Sequence, residues 1–155
     1  MKRAMNLAME LIPEPCWGQI LQRQIGADWW RALDLLLQRD ARGICAVCGA
    51  NAPLQLDERW RYDDAQARRT LIAVEALCAL CFYGRHYGLA TVLAEQGRLD
   101  VVAVEEHFRR LNADAGQPMS VAEFQLYRDA ARRHWVARNQ LAWRTDFGRY
   151  HPPTP

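Results

Sequence analysis

Apolar residues recur along this chain in different rhythms, and each rhythm predicts a different element. In residues 5–12, Met5, Leu7, Met9 and Leu11 stand at period two, the spacing of a strand with one buried face. A short N-terminal strand or an extended arm follows from it, closed by Pro13 and Pro15. Asp28 is a suitable N-cap, and after it Trp29, Trp30, Leu33, Leu36 and Leu37 return at helical spacing up to Gly43, which predicts an amphipathic helix. Residues 54–62 and 69–77 carry the apolar content of two short strands, joined by the polar link Asp63-Asp64-Ala65-Gln66.

The second half of the pattern is helical. From Cys81 to about Gln96, Tyr83, Leu89, Val92 and Leu93 predict a helix that Gly84 and Gly88 weaken. Asp100 can cap a further helix through Leu111, and Asn112 to Met119 holds the Asn, Asp, Gly and Pro of a turn. Ser120 and Glu123 form a capping box. The helix it opens has Val121, Phe124, Leu126, Tyr127, Ala131, Trp135 and Val136 as inward candidates. Asn139 to Pro155 reads as an extended, partly disordered tail. The expected organisation is a single α+β domain over residues 1–150, with a core motif at 43–96, a helical extension at 99–138 and a disordered tail at 151–155.

Composition narrows the class. The chain has 155 residues, 50% hydrophobic and 25% charged, and at this size folding buries about 70% of the surface of the unfolded chain, enough for a core without disulfides. No apolar run approaches the ~20 residues of a membrane span. The N-terminal apolar stretch is interrupted by Asn6 and Glu10 and ended by Pro13, so it reads as mature sequence rather than a secretion signal, and a cytoplasmic, reducing location is expected. A net charge of +2 does not by itself imply nucleic acid. Of the 20 basic residues only Lys2 is lysine. Guanidinium groups suit bidentate contacts to carboxylate or phosphate, although genome base composition produces the same bias.

Four of the five cysteines form two Cys-x-x-Cys pairs, Cys45/Cys48 and Cys78/Cys81, with 29 residues between Cys48 and Cys78. The short spacing lets two thiolates from each knuckle meet around one tetrahedral metal, and the intervening length leaves room for the hairpin. Structural zinc is the reading this spacing favours. A disulfide framework is disfavoured without a secretion signal, and a redox pair is disfavoured because neither motif sits in a thioredoxin-type strand–helix unit. Cys16, the fifth, reads as a buried, inert thiol.

The run Cys45-Ala-Val-Cys48-Gly, then Leu54-Gln-Leu-Asp57-Glu58-Arg-Trp60-Arg-Tyr62-Asp63-Asp64, then Cys78-Ala-Leu-Cys81-Phe82-Tyr-Gly-Arg85-His86 resembles the zinc-stapled version of an HNH endonuclease. More narrowly it is similar to small bacterial HNH-like proteins in which a Cys-Trp pair, here Cys16-Trp17, precedes the block and a Trp-x-Tyr-Asp-Asp run follows the first hairpin strand. The resemblance covers about residues 15–91. It implies a treble-clef zinc knuckle with a β-hairpin, the HNH-like ββα-metal core, surrounded by N- and C-terminal helices. It also implies that Asp57 and His86 stand at the positions of metal ligands and Glu58 at that of the base that activates water. One divalent ion, magnesium or manganese, would then neutralise the scissile phosphate at a second site. Phe82 stands where the family usually has His or Asn, and Asn51, the one asparagine between the cysteine pairs, lies outside the strands. Glutamate is a weaker base than histidine.

These departures favour a degenerate catalytic site, in a protein that binds DNA, RNA or a protein partner rather than cleaving. The alternative is an active divalent-metal-dependent endonuclease using Asp57, Glu58 and His86. A third reading is an adaptor that uses the knuckle only as a scaffold. Arg59, Arg61 and Arg85 are the candidate phosphate contacts. Arg59 and Arg61 interleave with Trp60 and Tyr62, which suits stacking on nucleic acid and equally a strand with one buried face. Asp57 and Glu58 can also be read as a solvated strand end or as partners of Arg59, Arg61 or Arg85. From Arg128 to His151 six arginines face two aspartates, a further basic region, or simply a solvated helix face.

Overall fold

The computed structural model describes residues 5–150. It is a mixed α+β arrangement of six helices and a three-stranded sheet among those residues. The helices are α1 (Leu21–Ile25), α2 (Ala27–Ala41), α3 (Ala79–Arg85), α4 (Tyr87–Glu95), α5 (Val101–Leu111) and α6 (Val121–Arg138). The strands are β1 (Leu54–Asp63), β2 (Arg68–Cys78) and β3 (Arg144–Asp146). No helix among the described residues is long and apolar enough to cross a membrane.

The β1–β2 hairpin is the centre, and each strand runs slightly beyond the expected limits. Pairing is antiparallel from Leu54↔Cys78 to Arg59↔Ala73, and resumes at Trp60↔Leu71, so Ile72 is the extra residue of a bulge that bends β2. One face of the hairpin packs on α1 and α2 through Leu21, Trp60, Leu71 and Val74, with Trp30, Leu33 and Leu37 against them. A second core joins Leu7 to Tyr87 and Ala90 of α4, Val104 and Phe108 of α5, and Phe124 of α6.

Of the two alternatives for residues 5–12 the structure has the extended arm and not the strand, because their backbone partners come from helices: Glu10 N donates to Arg85 O at 2.7 Å and Met9 N to Tyr127 Oη at 3.0 Å. The arm lies so close to α3 that a Cβ on Gly84 would meet Leu7 Cδ2 at 2.8 Å. Other sequence expectations change. Asp28 is not an N-cap. It sits in the first turn of α2, whose N-cap is Gly26 at φ 86°, and the helix ends at Ala41 with Arg42 in the left-handed region. The helix expected from Cys81 to Gln96 is two helices, broken at His86 (φ −95°, ψ 53°).

The tail also differs. Arg144–Asp146 adds a parallel third strand beside β2, where an open edge supplies hydrogen-bonding groups, and Phe147 then packs edge-on against Trp60 with ring centroids 5.6 Å apart. Three residues are too few to show a period. The tail expected at 151–155 lies outside the described residues. Asp100 caps α5 through Val102 N and Ala103 N, and Ser120 and Glu123 form the reciprocal capping box. In α6, Phe124 is buried, and Tyr127, Ala131 and Trp135 are half-buried, but Val121, Leu126 and Val136 face solvent rather than the core.

Asn112 ties the arm to the core. Fully buried, it accepts from Asn6 N at 2.8 Å and Leu7 N at 3.2 Å, and donates to Leu7 O at 2.8 Å and Phe108 O at 3.1 Å. Asn112→Ala leaves several of these groups without partners, and each orphaned buried group costs about 1–3 kcal/mol. We expect a loss of about 2–4 kcal/mol in urea unfolding; a loss under about 0.5 kcal/mol would show that the arm is not held through this residue.

Candidate metal centre and the charged cluster beside it

The segment 45–49 closes on itself: Cys45 N donates to Ala50 O at 2.9 Å and Gly49 N to Cys45 O at 3.0 Å. Gly49 takes φ 73°, a conformation that favours glycine. Ala46 N donates to Ala76 O at 3.1 Å and docks the loop on β2, whose last residue is Cys78. Cys81 lies in the first turn of α3. The four sulfurs lie within 4.8 Å of one another, and Cys48 Sγ is 3.7 Å from Cys78 Sγ. A tetrahedral site with metal–sulfur bonds of about 2.3 Å requires sulfurs about 3.8 Å apart, so the donor set fits a metal ion such as zinc.

The chemistry of the cluster leads the same way. Burial opposes ionisation of Cys45, but backbone N–H groups of Cys48, Cys78 and Val47 outweigh it and bring the thiol down to about 7. Cys81 is pushed up by burial and by the neighbouring Cys78 and Cys45. Thiolates at this spacing repel one another unless a cation sits among them. All five cysteines are free of disulfides. His107 of α5, a residue that sequence reasoning passed over, places Nε2 3.2 Å from Cys81 Sγ.

One helical turn beyond Cys81, α3 delivers Arg85 and then His86 over the hairpin. Asp57 and Glu75 stand directly opposite each other in the β1–β2 register, an arrangement that is destabilising for like charges. Arg85 resolves it. Its Nη1 donates to Asp57 Oδ2 at 2.7 Å, and Nη1 and Nη2 each reach Glu75 Oε2 at 3.2 Å. Arg59 Nε closes on Glu75 Oε1 at 3.2 Å. His86 Nε2 lies 2.6 Å from Asp57 Oδ1. Burial pulls the His86 pKa down, but the hydrogen bond and charge of Asp57, with Glu10 behind it, raise it above the ordinary value.

The structure therefore brings Asp57 and His86 together and sends Glu58 elsewhere. Glu58 Oε1 accepts from Leu21 N at 2.7 Å, at the start of α1, and Oε2 accepts from Trp60 Nε1 at 3.2 Å; burial raises its pKa. Phe82 lies against His86, ring centroids 4.7 Å apart. Beside these groups a cavity of about 390 Å³ is walled by Trp17, Trp30, Trp60 and Phe82. Arg59 and Arg61 are exposed, whereas Arg85 is buried in its clamp. The C-terminal arginines do not form one face: Arg138 Nε bonds Asp64 Oδ1 at 2.6 Å and lies over the Tyr62 ring, while Arg132 and Arg133 face solvent. Cys16 is buried apart from the four-cysteine cluster, and Arg69 Nη2 donates to its carbonyl at 3.2 Å.

Glu10 was hidden in the apolar alternation of the arm, where a lone carboxylate between Met9 and Leu11 was the one available signal. It accepts a hydrogen bond from Tyr62 Oη at 2.9 Å. Burial pushes its pKa up to about 7, against the opposing influence of His86 and the Tyr62 hydroxyl. Compared with known proteins, the chain matches no family model, no curated protein and no solved structure.

A carboxyl whose folded-state pKa is raised favours folding fully below its ordinary value of 4.5 and loses that contribution as pH climbs through about 7. Glu10→Gln keeps the acceptor for Tyr62 and removes the titration. Urea unfolding at several pH values is expected to show wild type losing stability relative to the variant between these limits, by on the order of 2 kcal/mol. Parallel profiles would show that Glu10 titrates normally.

Proposed function

We propose that this chain is a zinc-stapled HNH-like protein whose knuckle, hairpin and following helix form a treble-clef ββα unit, and that the unit binds nucleic acid without cleaving it. The observation that supports this reading is the Asp57 carboxylate. Both of its oxygens are occupied, one by Arg85 and one by His86. A divalent cation at this position would have to displace a guanidinium from a buried carboxylate, and two like-signed charges there repel strongly where water is scarce. Glu58, at the base position, is engaged with α1 and Trp60, and Phe82 offers no ligand atom. Arg59 and Arg61, exposed on β1, supply the charge that tracks a phosphate backbone.

Zinc held by Cys45, Cys48, Cys78 and Cys81 is a folding element in this reading. Removing any one thiolate opens the tetrahedron and releases the knuckle from the hairpin. Elemental analysis is expected to find one zinc per chain, lost together with cooperative unfolding in Cys78→Ser; a folded, zinc-free wild type would overturn the assignment.

One observation favours the second reading, an active endonuclease with magnesium or manganese on Asp57 and His86: these two residues do converge, at the edge of an open cavity. Anisotropy titrations of DNA and RNA across a salt series, with nicking assays in magnesium and manganese, decide between them. We expect salt-dependent binding whose slope falls by about one on each of Arg59→Ala and Arg61→Ala, and no nicking above the level of His86→Ala. Nicking that His86→Ala abolishes establishes the second reading. Absence of salt-dependent binding to either nucleic acid removes the nucleic-acid role and leaves a protein partner.

A further inference from the structure

The outer face of α6 has no partner among the described residues, and its pattern says what would fit it. We propose that two copies of this chain associate through α6 as an antiparallel, two-fold symmetric pair, an inference independent of the nucleic-acid reading. Phe124, Tyr127, Ala131 and Trp135 face the arm and the core. On the opposite side, Ala122, Leu126, Asp129, Arg133 and Val136 are all exposed and follow one another at intervals of four and three residues. That alternation averages 3.5 residues, the seam of paired helices. Leu126 is 71% exposed and Val136 50%, so the apolar residues that the sequence pattern assigned to the core form instead a second stripe.

A shallow hollow of about 410 Å³ lies on this face, lined by Asp129, Arg132, Arg133 and Val136. Positions i, i+3, i+4 and i+7 are the four that form a hole for a side chain of a facing helix. The stripe is complementary to itself when reversed. Asp129 and Arg133 lie symmetrically about Ala131, and so do Leu126 and Val136. In an antiparallel pair centred there, Asp129 faces Arg133 of the second copy, Arg133 faces its Asp129, and Leu126 faces its Val136, as an isologous interface requires. A parallel pair would set aspartate on aspartate and arginine on arginine. Among the described residues Asp129 pairs with Arg128, at 3.4 Å between exposed groups, a contact of little energy.

One helix seam is small beside the ~1,600 Å² of a standard interface, so association belongs at high protein concentration. Sedimentation equilibrium on the zinc-loaded full chain, from about 10 μM to about 1 mM, is expected to show the average mass rising from 17.9 kDa toward twice that value. Asp129→Arg and Arg133→Asp should each weaken the dimer at least about tenfold, and the two together should restore it to within about threefold of wild type. Both positions are exposed, and circular dichroism verifies that the variants remain folded. A single mass of 17.9 kDa throughout overturns the proposal. So does a dimer indifferent to both reversals, which would use another face, or one that the double reversal fails to restore.

Discussion

Four cysteine sulfurs within 4.8 Å of one another tie together the knuckle, the end of β2 and the start of α3, and the geometry of the remaining site descends from that point. Because Cys78 closes the strand and Cys81 lies in the first turn of the helix, α3 has one direction available. It runs back across the hairpin, so that Arg85, one turn beyond Cys81, reaches the two carboxylates on β1 and β2. His86 then breaks the helix and turns its ring to Asp57. A metal held by the four thiolates would thus act on residues that do not touch it.

The Asp57–Arg85–Glu75 cluster is the second consequence. Two carboxylates opposite each other in a hairpin invite a cation, and the chain supplies its own. A guanidinium bridging both carboxylates uses the planar donor geometry that lysine lacks, and removing one partner from a buried pair of this kind costs about 3–5 kcal/mol. The proposal of binding without cleavage rests on the same cluster: charge neutralisation by Arg85 and by a divalent ion are alternatives at one carboxylate.

The arm and α6 complete the molecule together. Trp135 Nε1 donates to Ile12 O at 2.9 Å, and Asn139 accepts from Glu14 N at 2.9 Å, while His134 and Arg138 reach Asp64 of the hairpin turn at 2.7 and 2.6 Å, so α6 is held through the arm and through the end of the hairpin. This leaves the helix with two usable sides. Its inner side closes the core around Phe124, and its outer side carries a spaced stripe that none of the described residues covers.

The sequence alone determined what is encoded over short range. The Cys-x-x-Cys spacing set the two sulfurs of each pair side by side, the apolar content of 54–62 and 69–77 with the polar link between them specified the hairpin that brings the pairs together, and Ser120 with Glu123 set the start of α6, because knuckle, hairpin and cap each involve residues near one another in the chain. Tertiary structure decided the rest. β3 is too short to carry a period and exists because β2 offers an open edge. The arm keeps a strand-like alternation without pairing as a strand, because helices satisfy its backbone. Glu10, Glu75, Arg85 and His107 acquire their roles from partners that other elements bring to them, as Glu10 does from Tyr62, 52 residues away. Leu126 and Val136 show the same limit: periodicity reports that a residue is apolar, while which side of a helix meets the core is set by the elements that arrive to cover it.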